Sequence, residues 1–407
     1  MTASTPDSSM SHQDPLERVL RSPAIAGVVL LASMLVAFIW VNSPFADSYE
    51  AIHHAPASIS IGSFELAKPL ILWINEGLMV VFFFLIGLEI KREVFEGQLS
   101  SPKQIALPAL AAFGGMIVPA AIFLAFNSAS EEHIRGWAVP VATDIVLALA
   151  LLAMLGSRVP IALKVFLTAL AIFDDFGTLV IIAFSYSEGL SLPSLLMAGL
   201  GTLGLLALNR LRVASLTAYI LVGVFVWVSV LESGVHSTLA GVIIAWCVPM
   251  RVAGREFLHK IEHDLSPWVA LLIVPVFAFF NAGIDLRGVE FSTFFGPLGL
   301  GIILGLFIGK QVGVMLGVGL AVLLRIGDKP IGVSWGQLYG AALLSGVGFT
   351  MSLFVAGLAF DQPGAVLTVN LAVVVGSLLS AVSGLLVVDR TSARHGCSDS
   401  SKNGETA

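Results

Sequence analysis

The sequence predicts an all-α polytopic membrane protein of twelve transmembrane helices, two of them broken, arranged around inverted three-helix repeats. Three observations carry that reading. Hydrophobic residues make up 57% of the 407 and charged residues 12%, against roughly 25% charged in soluble domains, and mean hydropathy is +0.94. Apolar windows long enough to cross a bilayer core of about 30 Å recur along the whole chain. Once those windows are threaded in and out, the basic residues fall almost entirely on one side.

The windows are 23–42, 68–90, 105–127, 137–156, 160–186, 193–209, 213–232, 234–250, 267–284, 296–324, 335–360 and 366–388. The fifth stays one helix although Asp174 and Asp175 interrupt it, because the pieces on either side are too short to cross alone. Arg18 and Arg21 precede the first window like a signal-peptide n-region, and Ala55-Pro56-Ala57 resembles a cleavage site. The apolar run exceeds a 7–15-residue signal core and the triplet lies well beyond it, so the first helix is read as retained. With the N-terminus inside, sixteen of the 21 Lys and Arg lie inside, Lys68, Arg135 and Arg287 lie outside, and Lys164 and Lys310 fall within windows. That asymmetry is a positive-inside signal and puts both termini in the cytoplasm.

Outside the 18–388 membrane domain, the tails 1–17 and 389–407 are polar and Ser-rich, a composition that reads as disordered. The loop 43–67 is the longest outside connection, and its stretch Ala57–Gly62 alternates polar and apolar residues. Alternation of that kind fits either one strand of a hairpin or an irregular loop. A net charge of −6 without a basic block excludes a nucleic-acid partner. Cys247 and Cys397 match no metal or disulfide spacing.

Charged residues near a bilayer centre each cost roughly 2.5–3.5 kcal/mol on insertion scales, and Asp144, Asp174, Asp175, Lys164 and Lys310 all fall inside windows. Singly, each admits a structural reading, an Asp capping a broken helix or a Lys packed against a neighbour. Five together point to a polar pathway. Asp174 and Asp175 are about 100° apart on one helix and can flank one cavity. Two buried carboxylates at close range disfavour a double charge, so the pair can hold a small cation or protons in competition, as an exchanger requires. Lys164 stands about 16 Å along the axis from Asp175 and is expected to reach the cytoplasmic surface instead.

Pro140, Thr143 and Asp144 interrupt the fourth window, and Gly340, Ser345, Gly346, Gly348, Thr350 and Ser352 loosen the eleventh. Proline removes a backbone donor, whereas glycine also serves packing in membrane helices. The two windows are seven apart, so they run in opposite directions at matching places in the units 3–5 and 10–12. Broken helices so placed mark a midplane site. Their ends carry partial charges, positive at N-termini and negative at C-termini, and Asp144 could offset the positive ends and Lys310 the negative ones.

At this point the sequence resembles the NhaA-type bacterial sodium/proton antiporters, a family that general accounts of inverted repeats already use as an example. The stretches that carry the likeness are Ala142-Thr-Asp-Ile145, Ala171-Ile-Phe-Asp-Asp-Phe-Gly177, Gly309-Lys310 and Ser345-Gly-Val-Gly-Phe-Thr350. Gly87-Leu-Glu-Ile-Lys-Arg-Glu93, Gly234-Val-His236 and Phe277-Ala-Phe-Phe-Asn-Ala-Gly283 add to it. The resemblance implies Asp175 as the principal ligand of transported Na⁺ or Li⁺. It implies Asp174 paired with Lys310 and carrying protons, and Thr143 and Asp144 at the crossing of the broken helices. Glu89, Arg92 and Glu93, with Glu262 and His263, would sense pH, and Glu76 would lie deeper in the second window. His236 is a further titratable candidate that equally fits a packed, hydrogen-bonded histidine. The loop 43–67 would hold a hairpin through which two copies pair as a homodimer. Two positions depart from the pattern: Ser266, where a histidine is expected, and Gln311, where a proline usually follows the lysine.

The expected activity is electrogenic, pH-regulated export of Na⁺ or Li⁺ against protons across a bacterial inner membrane, with no cofactor. No nucleotide motif supports an ATP-driven pump or an enzyme. Asp175-Phe176-Gly177 spells a kinase motif but lacks the catalytic loop and Gly-rich strand. A passive cation channel would use the same acids, yet it lacks a carbonyl filter and Lys310 opposes cation flow. A sodium-coupled symporter needs a solute pocket that the midplane residues do not supply.

Overall fold

The computed structural model describes residues 22–61, 64–97, 102–187, 189–287 and 295–403. The predicted N-terminal tail 1–17, with Arg18 and Arg21, lies outside the described residues. The fold is helical, with helices in each of the twelve windows, not all of them long enough to cross a membrane.

The first helix, α1 (Pro23–Val41), opens on proline, which has no intrahelical donor to lose there. The outside loop then forms a short helix, α2 (Ala46–His53), and an antiparallel hairpin. In the hairpin β1 (Pro56–Ile61) pairs with β2 (Phe64–Pro69), Ala57 opposite Lys68. Of the two readings open for this loop, the strand is the one observed. α2 is held because the Tyr49 hydroxyl donates to Phe279 O at 2.7 Å and His53 Nε2 lies 2.7 Å from Phe280 O. Both carbonyls belong to the last turn of a later helix and would otherwise lack partners.

α3 (Leu70–Phe95) and α4 (Pro102–Asn127) follow, then a bent pair, α5 (Glu131–Val141) and α6 (Ile145–Met154). α7 (Ile161–Ser185) is one unbroken helix, as expected, with both aspartates inside it. α8 (Leu192–Arg210) and α9 (Leu216–Leu231) lead to α10 (Leu239–Cys247), which is much shorter than its window 234–250. Gly234 has φ +80°, a left-handed turn that starts the helix late. At its other end Lys91 Nζ donates to Trp246 O and Val248 O, at 2.6 and 2.5 Å, and so caps the final carbonyls.

After a two-strand turn, α11 (Phe257–Asn281) begins ten residues before its predicted window. Its first turns bury only Leu258, Ile261 and Glu262 and leave the remaining polar face open. Hydropathy averaging misses a helix of that amphipathic kind. α12 (Pro297–Leu323) is followed by the second bent pair, α13 (Trp335–Leu344) and α14 (Phe349–Ala359). The last helix, α15 (Pro363–Asn403), continues past 388, where a disordered tail was expected. Arg158 reaches Asp389 at 2.9 Å and Gln337 Nε2 donates to Ser392 Oγ at 3.1 Å, which docks the extra turns.

Among the described residues, eight helices are long and apolar enough to cross a membrane, or ten when each bent pair counts as one span. α4 lies along α12, α3 along α10, α1 along α6, and α13 against both α12 and α15. The α4–α12 contact is close because Gly114 and Gly313 face each other. A Cβ on either would collide with the other's carbonyl oxygen, the small-residue approach by which membrane helices pack. Lys68–Glu76 and Arg287–Asp285 pair residues near ends predicted to face outside, and Arg92–Glu262, Arg251–Glu96 and Arg158–Asp389 pair residues near ends predicted to face inside.

Candidate functional site

The two bent pairs cross, each bent by about 40°. Pro140 ends α5 in a tight turn, and the chain runs extended through Ala142 to Asp144 before α6 resumes. α13 likewise stops before Ser345, and α14 resumes at Phe349. The interruptions satisfy one another. Asp144 N donates to Val347 O at 2.7 Å, Thr143 Oγ1 lies 2.7 Å from Ser345 O, and Ser352 Oγ donates to Val139 O at 2.8 Å. Irregular backbone survives at membrane depth only where such partners exist.

Asp144 serves both breaks at once. Its Oδ1 accepts from Leu147 N at 2.9 Å at the start of α6, and its Oδ2 accepts from Thr350 N and Oγ1 at the start of α14. One carboxylate thus faces two helix N-termini, where negative charge is favoured. The acid thus meets the positive helix ends, as expected, whereas Lys310, expected to offset the negative ends, turns to α7. Lys310 Nζ stands 2.6 Å from Asp174 Oδ2, both side chains fully buried. Thr143 Oγ1 lies 2.7 Å from the same oxygen, so the crossing, α7 and α12 meet at one carboxylate.

Asp175 differs. It is buried, yet among the described residues neither of its carboxylate oxygens has a hydrogen-bond partner, and the same holds for Asp174 Oδ1 and Thr178 Oγ1. Buried polar atoms are nearly always partnered, so four orphaned oxygens along one face of α7 need a reason. Oxygen-only donors suit a hard cation or protons. Among the described residues no three His, Cys, Asp or Glu converge as a resident metal cluster. Asp174, Asp144 and Glu89 lie within electrostatic reach of Asp175.

Two cavities are lined by predicted residues. One, about 260 Å³, lies toward the predicted inside and is lined by Glu89, Phe82, Ile145, Val146, Ser266 and Pro267. The other, about 270 Å³, lies toward the predicted outside and is lined by Lys68, Glu76, Arg135, His236 and Asp361 among others. Glu76 therefore belongs to the outside cavity, paired with Lys68 at 3.1 Å. His236 lies there too, its Nδ1 2.7 Å from Thr238 Oγ1, away from the inside acids.

Of the predicted sensing residues, Arg92 joins Glu262, from Nε at 2.8 Å, and Glu93, from a terminal nitrogen at 2.8 Å. His263 stands at the edge, half exposed, 3.5 Å from Asp264. His259, 4.0 Å from Glu262, was not singled out by the sequence reading, although its i,i+3 spacing to Glu262 is a usable signal on a helix. Thr178 was missed as well; it stands three residues after Asp175, hence on the same face. Lys164 points to the surface as expected, its Nζ 3.5 Å from Gly156 O.

A profile of the family described as Na⁺/H⁺ antiporter 1 matches residues 17–388. The chain is 87% identical over 391 residues to a protein of Maricaulis maris named Na(+)/H(+) antiporter NhaA, covering 96% of this chain and 97% of that one. It is 48% identical to the protein named Na(+)/H(+) antiporter NhaA 1 in Syntrophotalea carbinolica, covering 91% and 95% of the two chains. It is also 48% identical to the protein named NhaA in a Sulfurovum species, covering 92% and 97%.

Proposed function

Because the chain belongs to the Na⁺/H⁺ antiporter 1 family, we propose that it exports Na⁺ or Li⁺ in exchange for protons, electrogenically, and that pH regulates it. The observation that carries the reading is Asp175, a buried carboxylate with both oxygens orphaned. It stands one residue from an acid that is already paired with Lys310. A desolvated cation entering beside Asp175 would find the orphaned oxygens of Asp174, Asp175 and Thr178. Its charge would displace the protons that otherwise neutralise the pair, since burial and mutual repulsion oppose two bare carboxylates. Asp174 is then the carboxylate that passes between Lys310, Thr143 and a proton. Asp144 holds the crossing in register and adds negative potential.

In this reading the chain crosses a bacterial inner membrane twelve times, with α9 and α10 as the two short crossings and both termini cytoplasmic. The membrane domain spans 18–388 between an N-terminal tail and a C-terminal extension. Spans 3–5 and 10–12 form the inverted repeats, and their rocking alternately opens the Glu89 and Glu76 cavities. Glu89, Arg92, Glu93, Glu262 and His263 form the inside sensing region, with His236 a separate candidate on the outside. Two copies pair through the β1–β2 hairpin in 43–67.

Everted vesicles acidified by respiration, with a fluorescent pH probe, test the exchange. Added NaCl or LiCl should dissipate the gradient in the unmutated protein and not in Asp175→Asn vesicles. If no salt does so at any pH while the protein is present in the membrane, exchange is the wrong reading.

A further inference from the structure

Between Lys310 and the half-helix α13 lies a bridge that the exchange reading does not use. α12 widens into a π-helical turn at Gly305–Gly309, immediately before Lys310. Such turns displace backbone carbonyls from their regular partners and are frequent at functional sites. Gln311, which is buried, folds its amide back over that turn. Its Nε2 donates to Phe307 O at 2.7 Å, and its Oε1 accepts from the Tyr339 hydroxyl on α13. Both halves of the amide are therefore used, one on the irregular turn and one on the neighbouring helix.

Six residues beyond Tyr339, about 9 Å along the axis, the end of α13 meets the site again. There Ser345 O lies against Thr143 Oγ1, which touches Asp174, the partner of Lys310. The half-helix is thus attached to the Lys310 turn at its middle and to the partner of Lys310 at its tip. A stiff rod fixed at two points sets the distance between what it joins.

We propose that Gln311 and Tyr339 are positioning residues, whose bridge holds the Lys310 ammonium on Asp174 and sets the pH at which the site trades protons for cation. The proposal rests on the exchange reading. The charged groups around Lys310 are Asp174 and Asp175 on α7, with Asp144 and Glu89 reaching the same pair. From α4 it is met by Gly115, which brings no charge.

The test is the pH profile of Na⁺-driven gradient dissipation in everted vesicles, for the unmutated chain, Tyr339→Phe, Gln311→Asn and the double variant. Tyr339→Phe removes only the donor, and Gln311→Asn keeps the amide but shortens its reach. Each single variant should move the half-maximal pH by about half a unit toward alkaline, the size one hydrogen bond gives. The double variant should move it no further, because both act through one bridge. Profiles that keep their midpoint and lose only amplitude, or shifts that add, would overturn the bridge while leaving exchange intact. An unmutated chain that exchanges nothing overturns both.

Discussion

The crossing of the broken helices and the inside end of α3 are both crowded with carboxylates, and they treat them differently. At the predicted inside end, the buried Glu262 and the half-buried Glu93 both meet Arg92, whose own side chain is 31% open to solvent. At the crossing, Asp144 is saturated by two helix N-termini and Asp174 is paired with Lys310, while Asp175 is buried with nothing to satisfy it. Satisfied acids hold structure, and the one left unsatisfied at a cost in stability is the one proposed to take the cargo ion. The contrast follows because at the end of α3 each acid has Arg92, which solvent still reaches, whereas the bilayer interior offers no such compensation.

That comparison can be broken by mutation, beginning with the largest effect. Asp175→Asn should reduce Na⁺-driven proton release to the level of empty vesicles while leaving the melting temperature in detergent unchanged or raised, since no partner is lost. A clear loss of stability would mean that Asp175 is held by contacts after all. Asp174→Asn and Lys310→Met should each lower stability strongly, by about 3–5 kcal/mol, because each strands a buried charge. The double variant should recover part of the loss in thermal melts, and failure to recover would argue against a coupled pair.

Asp144→Ala should cost less, on the order of 1–2 kcal/mol for each helix start it caps. Because it caps two, its loss should exceed that of Ser215→Ala, a single cap at the start of α9. Arg92→Gln should change stability by less than about 1 kcal/mol, as expected of partly exposed pairs. It should still displace the pH profile of exchange; an unmoved profile would remove this cluster from regulation.

The smallest expected effect lies outside, at the α2 cap. Burial holds the His53 imidazole below its ordinary value, so the folded chain favours the neutral ring. Stability from this cap is then full above about pH 6.5 and falls as the pH drops below it, because the unfolded chain takes up the proton first. Melting curves of the unmutated chain and of His53→Gln between pH 7.5 and 5 should converge at the acid end, and parallel curves would dismiss the linkage.

Much of this is legible in the sequence. Composition and window length were enough for a membrane protein, because apolar surface on that scale has no place in water. The basic residues predict the sides, and the intramembrane acids mark the candidate site, since a charge in lipid is costly wherever the chain folds. Pro140 and the Gly346-Val347-Gly348 run marked the breaks through local backbone chemistry. The start of α11 was hidden because amphipathic turns average to neutral hydropathy, and the late start of α10 because one left-handed glycine does not disturb an apolar window. Which partner each buried charge took was decided only in three dimensions. Asp144, Asp174 and Lys310 come from segments 30 to 166 residues apart, and only the packing of α4 on α12 and the crossing of the half-helices brings them together. Local sequence fixes where a charge lies in depth, but its neighbour is chosen by helix packing, and that choice separates the paired aspartate from the unpaired one beside it.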